Sequence, residues 1–486
     1  MNGPEVYGTI FSVGPSKKDV NVIFTGSDDG LVFVTRNFGV TWTNITPKDM
    51  PEFGRVSQLD ASAFDAGTVY MSVRRPLLND RAPYIFRTKD YGKTWTKIVN
   101  GLGAEDYVHA VREDPTRRGL LYAATQHGVY ISYDDGANWQ SLKLNMPDVP
   151  VADLIVERDE LVIGTHGRGF WVLDNVAPLR QATPAVMASR AHLFAPAAGL
   201  RSSPGVTLSW QFAERPKRAV LAILDSAGSV LRDFEGDTAA PAAGGAGGRR
   251  RGTSSTFPLR AGLTRFTYDL RATGIESFPG MILWGAGTAG PALPPGRYTV
   301  RLTADGQELK APLTIQRSPL IADVTDADLR RQYAFGKQVR DKTNEAQRAV
   351  IEIRRVKAQL DDRLKRAADD AALKSKGETL RTNASAVEQN VYQVKNQSGQ
   401  DPLNFPIKVN NRLANLLSMA ERGDGPPGTY MPEILGILSK ELAGYQATLE
   451  TVWKTDLTAV NAELARLKLP ALDPKCTVVT GCGATP

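Results

Sequence analysis

The sequence predicts a multidomain protein, mainly β and then α, comprising a partial β-propeller, an immunoglobulin-like β-sandwich and a C-terminal antiparallel helical bundle. Three observations predict this order. One octapeptide pattern recurs three times in the first third of the chain, the middle carries short strands without that pattern, and the last third carries apolar residues at helical spacing. The expected boundaries are 1–180 for about four blades, 187–318 for the sandwich, 322–470 for the bundle and 471–486 for a flexible tail.

The repeat reads Thr35-Arg-Asn37-Phe-Gly39-Val-Thr-Trp42, then Thr88-Lys-Asp90-Tyr-Gly92-Lys-Thr-Trp95, then Ser132-Tyr-Asp134-Asp-Gly136-Ala-Asn-Trp139. Its tryptophans, at 42, 95 and 139, lie 53 and 44 residues apart. A short pattern at a period of roughly 40 to 55 residues marks a propeller or an array of sheet units. Each copy follows an alternating apolar run, such as Gly30-Leu-Val-Phe-Val-Thr35 or Gly128-Val-Tyr-Ile-Ser132, that reads as a strand. The Asp or Asn can accept backbone N–H groups two residues on, and the glycine supplies the positive φ of a tight turn. The tryptophan then opens the next strand and is expected to pack across its own hairpin. Asp-Gly pairs are ordinary turn formers, so Asp90 and Asp134 read as structural rather than catalytic.

This pattern resembles the Asp-box, or BNR repeat, of sialidases, sortilin-type receptors and several glycan-cleaving propellers. A strand-turn-strand unit stands upstream of two boxes, at Val22-Ile-Phe-Thr-Gly-Ser-Asp-Asp-Gly30 and Leu120-Leu-Tyr-Ala-Ala-Thr-Gln-His-Gly128. A fourth unit, Leu161-Val-Ile-Gly-Thr-His-Gly-Arg-Gly-Phe-Trp-Val-Leu-Asp174, keeps strand and turn but lacks the box. Together with Val111-Arg-Glu-Asp-Pro-Thr-Arg-Arg-Gly-Leu-Leu121, these features are similar to the large bacterial sortilin-like BNR proteins, often labelled glycosyl hydrolases. That resemblance implies an extracytoplasmic location, periplasmic or secreted. It also implies further repeats and an export signal upstream, because Met-Asn-Gly-Pro-Glu-Val lacks the charged start and apolar stretch of a signal peptide. The chain is therefore expected to be the C-terminal portion of a longer protein.

Composition is that of an ordinary globular chain. At 486 residues the length suits about three domains. Hydrophobic content of 42% and charged content of 23% leave no large disordered fraction. The net charge of +7 is too diffuse for a nucleic-acid footprint. The one basic cluster, Arg249-Arg-Arg251, sits in a Gly/Ala-rich stretch that reads as a solvated loop. No apolar run approaches the roughly 18 residues of a membrane span. The two cysteines, Cys476 and Cys482, are close enough for a local disulfide, with two free thiols as the alternative.

In the middle region the strands are read at Gly205–Phe212, Arg218–Leu224, Ser229–Phe234 and Leu263–Leu270, then at Pro295–Leu302 and Leu309–Ile315 across an Asp305-Gly306 turn. Several short strands with regular turns argue an immunoglobulin-like sandwich. Pro295-Gly-Arg-Tyr-Thr-Val300 resembles the closing strands of FlgD-type modules. In the last third, Thr325-Asp-Ala-Asp328 reads as a helix cap. Val339, Thr343, Ala346, Val350, Ile353, Lys357, Leu360 and Leu364 then form a seam at spacings of four and three. Leu380, Ala384, Val387, Val391 and Val394 suggest a second helix, with a shorter one near Val409–Met419 and a last one near Pro432–Leu467. Arg422-Gly-Asp424 invites an integrin-ligand reading, but its Gly/Pro-rich setting fits an inter-helix turn better.

Candidate chemistry is sparse. His109, His127, His166 and His192 show no metal-ligand spacing, so no metal and no cofactor are expected. Gly164-Thr-His-Gly-Arg-Gly169 lacks the following helix that a phosphate cradle needs. His127, His166 and Arg168 stand at the turns of two repeats and are the candidate ligand-binding residues of a propeller rim. The acid pairs Asp28/Asp29 and Asp134/Asp135 are adjacent in turns, whereas glycoside hydrolysis needs carboxyls roughly 5 to 10 Å apart across a cleft. Tyr84-Ile-Phe-Arg87 only superficially echoes the sialidase motif. The reading is an exported, non-catalytic protein that binds a protein, peptide or glycan at the rim, without nucleic acid or membrane span. The alternative is an Asp-box glycoside hydrolase with part of its active site in missing N-terminal repeats. No catalytic residue is assigned under either.

Overall fold

The structure is a computed structural model that describes residues 8–201, 204–239 and 256–480. It is mainly β, with a helical C-terminal region, and divides into two compact units, Met1–Met187 and Ala188–Pro486. The Arg249–Arg251 cluster lies outside the described residues.

The first unit is a succession of antiparallel meander sheets. The first holds β1 (Ile10–Pro15), β2 (Ile23–Ser27), β3 (Val32–Thr35) and β4 (Thr43–Asn44). The second holds β5 (Arg55–Ala61), β6 (Val69–Arg75), β7 (Asp80–Thr88) and β8 (Thr96–Lys97). The third holds β9 (Val108–Glu113), β10 (Leu121–Thr125), β11 (Gly128–Ser132) and β12 (Gln140–Ser141). The last has three strands, β13 (Val151–Glu157), β14 (Glu160–Thr165) and β15 (Phe170–Leu173). Helices α1 (Ala177–Gln181) and α2 (Pro184–Met187) close the unit.

In every sheet the strands follow chain order, and the first strand of each contacts the first strand of the next. The sheets therefore face one another as blades of a propeller do, and each interface has its own core. Val22, Phe24 and Val32 pack with Val56, Met71 and Phe86 between the first two sheets. Tyr70 and Ile85 meet Val111, Leu121 and Trp139 in the next interface. Tyr122 and Ile131 meet Val151, Leu154 and Ile163 in the third. Burial on both faces explains why β10 reads Leu-Tyr-Ala-Ala-Thr with every residue buried and no polar alternation. At Gly26 an added Cβ would lie 2.3 Å from Val56, so only glycine admits the second sheet this closely.

The second unit contains two sheets and a helical region. Strands β16 (Ala191–Phe194), β18 (Val206–Phe212) and β22 (Gly262–Tyr268) form one sheet. The other, ordered β17-β24-β23-β19-β20-β21, holds β17 (Gly199–Leu200), β19 (Ala219–Leu224), β20 (Val230–Asp237), β21 (Thr256–Pro258), β23 (Gly296–Ala304) and β24 (Gln307–Gln316). Both sheets contribute to one core, in which Trp210 meets Phe257 edge-on at 5.1 Å between centroids. Asp305 and Gly306, both at positive φ, make the two-residue turn between β23 and β24.

Helices α3 (Asp326–Arg366), α4 (Ala371–Val391), α5 (Val409–Ala420), α6 (Met431–Val452) and α7 (Thr458–Arg466) share a separate core. Thr325 caps α3 through a reciprocal capping box with Asp328. Val394, expected in the second helix, falls beyond its end at Val391. The expected last helix is interrupted by a π turn at Trp453–Leu457.

The described part of the expected tail is held against α3. The Gln359 amide donates to the Asp473 carbonyl at 2.9 Å and accepts the Asp473 N–H at 2.9 Å. Leu472 and Cys476 are buried, and Cys476 is disulfide-bonded, while Cys482 lies outside the described residues. No described helix is long and apolar enough to cross a membrane.

Candidate functional site

The three boxes make one hydrogen-bonded turn three times. In the second, Gly92 N–H donates to Thr88 Oγ1 at 2.9 Å, and Thr94 N–H donates to Asp90 Oδ1 at 2.9 Å. Ser132, Gly136, Asp134 and Asn138 repeat this at 2.9 and 2.8 Å, and Thr35, Gly39, Asn37 and Thr41 at 2.8 and 2.9 Å. The bonds of the Asp side chain thus run four residues on, across the whole turn, rather than the expected two. Burial works against the charge of Asp90, but the Thr94 and Thr88 donors and Lys93 outweigh it and hold the carboxyl below its usual range. Asp134 is lowered in the same way, chiefly by Asn138 and Ser132 against the burial penalty.

The tryptophans anchor elsewhere than expected. Trp95 Nε1 donates to the Ile45 carbonyl at 2.7 Å, and Trp139 Nε1 to the Ile98 carbonyl at 2.9 Å. Each therefore reaches the preceding sheet instead of its own hairpin. The box glycines face the same isoleucines, since an added Cβ at Gly92 or Gly136 would lie 2.5 or 2.4 Å from Ile45 or Ile98. Trp42 is 43% exposed and Gly39 meets nothing within 4 Å. Asp135 is also spent between sheets, bonded by Arg87 at 2.7 Å, Lys89 at 2.6 Å and the Tyr70 hydroxyl at 2.6 Å.

The antiparallel registers bring the start of each first strand and the end of each second strand to one rim. Arg55, Arg74, His109, His127 and His166 all stand at that end. Arg55 and Arg74 are direct cross-strand partners. Among the described residues neither guanidinium has a carboxylate partner: Arg55 lies over the Phe11 ring, and Arg74 Nη1 lies 2.8 Å from His109 Nδ1. Burial, and then Arg55, lower the Arg74 pKa. Burial and the Arg74 charge hold His109 down at about 4, against weaker help from Gln126 and Asp106. His109 is thus neutral near pH 7, with Nδ1 accepting from Arg74 and the proton on Nε2.

Arg55 and Arg74 border a cavity of about 500 Å³ whose walls include Phe53, Leu77 and Leu78. Asp28 is the one carboxylate of that lining among the described residues, and its Oδ1 already accepts from Gly8 and Thr9 N–H groups at 3.0 and 2.9 Å. Pro76, Leu77 and Leu78 form a 3-10 turn closed by Asn79 N–H to the Pro76 carbonyl. An Arg75–Asp80 ion pair at 3.0 Å and the Tyr84 hydroxyl on Asp80 at 2.9 Å brace it. Phe53 holds φ of 55°, a conformation uncommon for a bulky side chain.

The rim residues expected from sequence lie farther along. His127 Nδ1 lies 3.0 Å from Asp148 Oδ1, and both side chains are more than half exposed. His166 and Arg168 are exposed on the β14–β15 turn, and His166 is close enough to His109 to act on its charge. Sequence reading overlooked Arg55 and Arg74. Their one local signal is the basic pair Arg74-Arg75 ending a strand just before Pro76-Leu-Leu78.

No family model and no curated protein matches the chain. Among solved structures it is similar to the GH74 xyloglucanase from Xanthomonas campestris, at 15% identity and a TM-score of 0.28 over 42% of this chain and 35% of that one. It is similar to YCF48 bound to D1 peptide at 16% identity and 0.27, over 43% of this chain and 77% of that one. A GH74 enzyme from Niastella koreensis gives 12% and 0.28, over 46% and 29%. The chain thus spans about a third of the length of these GH74 enzymes. With TM-scores this low, none of these likenesses bears on the site.

Proposed function

We propose that this chain belongs to an exported, non-catalytic binding protein whose Asp-box propeller blades hold a protein, peptide or glycan ligand at the rim. One observation carries the reading: two cross-strand guanidiniums, Arg55 and Arg74, without a carboxylate partner among the described residues, beside an apolar-walled cavity on that rim. Like charges held directly opposite cost stability unless a counter-charge arrives, so their juxtaposition favours an anionic ligand. A glycoside hydrolase needs two convergent carboxyls, and among the described residues the lining of this cavity offers one, already engaged. His127, His166 and Arg168 extend the same rim and complete the contact surface. The sheets of 187–318, as an immunoglobulin-like sandwich, and the helices of 322–470, as an antiparallel bundle, serve as spacer or docking domains. Export accords with a disulfide at Cys476.

Glycan and peptide arrays test this. Hits are expected to weaken about tenfold in Arg74→Leu, and less in a His127/His166/Arg168 triple alanine variant. Binding unchanged in both sinks the rim assignment, and sugar released from a polysaccharide by the purified chain restores the hydrolase alternative.

A further inference from the structure

The cavity also indicates what kind of group it takes, an inference that rests on the rim reading. Its polar side holds the Arg55 and Arg74 guanidiniums, brought together by strand register and without a carboxylate partner among the described residues. It also holds Arg75, which pairs with Asp80, and Asp28, whose Oδ1 accepts from the Gly8 and Thr9 N–H groups. Its apolar side is Phe53, Leu77 and Leu78, which are 51%, 85% and 52% exposed. Leucines this exposed, on a turn held in place by the Arg75–Asp80–Tyr84 bonds, are a preformed apolar wall rather than a loose loop. A volume near 500 Å³ is that of a small-molecule site.

We propose that the Arg55/Arg74 cavity binds a small amphiphilic monocarboxylate, its carboxylate on the guanidiniums and its alkyl or aryl body against Phe53, Leu77 and Leu78. Guanidinium forks match the planar carboxylate with paired hydrogen bonds, and the anion relieves the repulsion between the two cations. Arg74 is oriented for this by His109, whose Nδ1 holds one side of the guanidinium. An apolar body beside the charged group separates this ligand from a bare inorganic anion, which leaves the leucines in water.

Calorimetric titration of the full chain with octanoate, octanamide and inorganic phosphate tests the proposal. Octanoate is expected to bind saturably, octanamide about tenfold or more weakly, and phosphate without measurable heat. Arg55→Leu and Arg74→Leu are each expected to weaken octanoate about tenfold, Arg74→Lys less, and Leu77→Asp comparably to the arginine variants. Circular dichroism melting checks that each variant is folded, and the ligand series on the unaltered chain stands if one is not. Equal affinity for octanamide, phosphate as tight as octanoate, or full binding in the arginine variants overturns the proposal. Array hits that vanish in Arg74→Leu yet resist competition by octanoate keep the rim reading and reject the carboxylate. Saturable octanoate binding without any array hit does the reverse.

Discussion

Asn37, Asp90 and Asp134 accept equivalent bonds in three successive turns, so the chain itself compares the amide with the carboxylate. Because Asn37 keeps the geometry, Asp134→Asn is expected to cost under about 1 kcal/mol, and Asp134→Ala about 2 kcal/mol, in urea unfolding. Equal losses would contradict a role limited to hydrogen bonding. His109 adds a pH signature. Its folded pKa of about 4 lies below the unfolded value of 6.5, so the unfolded chain takes up the proton first on acidification. The contribution is intact above 6.5 and is lost as pH falls toward 4. After discounting for partial exposure, it amounts to roughly 2 kcal/mol. Unfolding at pH 8 and pH 5 should differ by about that amount more in the parent than in His109→Gln. The box residues were legible because a turn is local chemistry, written within eight positions. Arg55 and Arg74 were not, since their meeting depends on register across a strand pair and each alone reads as an ordinary surface cation.

At the scale of elements, strands and helices were legible from periodicity, while their ends and partners were not. The π turn at Trp453–Leu457 leaves no mark in the apolar spacing, because one widened turn shifts the stripe only slightly. The Arg422-Gly-Asp424 turn between α5 and α6 is likewise set by distant partners. Asp424 pairs with buried Arg201, which also donates to Gln332 at 2.7 Å, so this Asp is withdrawn from integrin-type recognition. Among the described residues, Asp424→Ala leaves the buried guanidinium with Glu421 as its nearby carboxylate counter-charge and is expected to cost about 3 kcal/mol. Thermal melting checks this, and a loss within error would show the pair to be incidental. The cap at Thr325 is a milder case, with Thr325→Ala expected to cost about 1 kcal/mol.

In the molecule as a whole, the array of sheets was legible from the spacing of the tryptophans, but the way one sheet grips the next was not. The grip involves a position the octapeptide omits, three residues after each tryptophan, where Ile45, Ile98 and Leu142 stand. Gly92 and Gly136 press on the first two of these, whereas Gly39 faces open space. Gly136→Ala combines positive φ with a clash and is expected to cost 3 kcal/mol or more, Gly39→Ala only about 1 kcal/mol for its φ. Similar losses in urea unfolding would deny the glycine its part in stacking.

The Trp95–Ile45 and Trp139–Ile98 bonds link each sheet only to its immediate neighbour. Such linkage makes cooperativity a nearest-neighbour property, so loosening one interface acts first on the two sheets that share it. Trp139→Phe, which removes the bond to Ile98, should therefore speed amide exchange in the second and third sheets before it does so in β1–β4. The Arg55/Arg74 pair lies on the second sheet, and its ligand would slow exchange in β5 and β6 before any other strand.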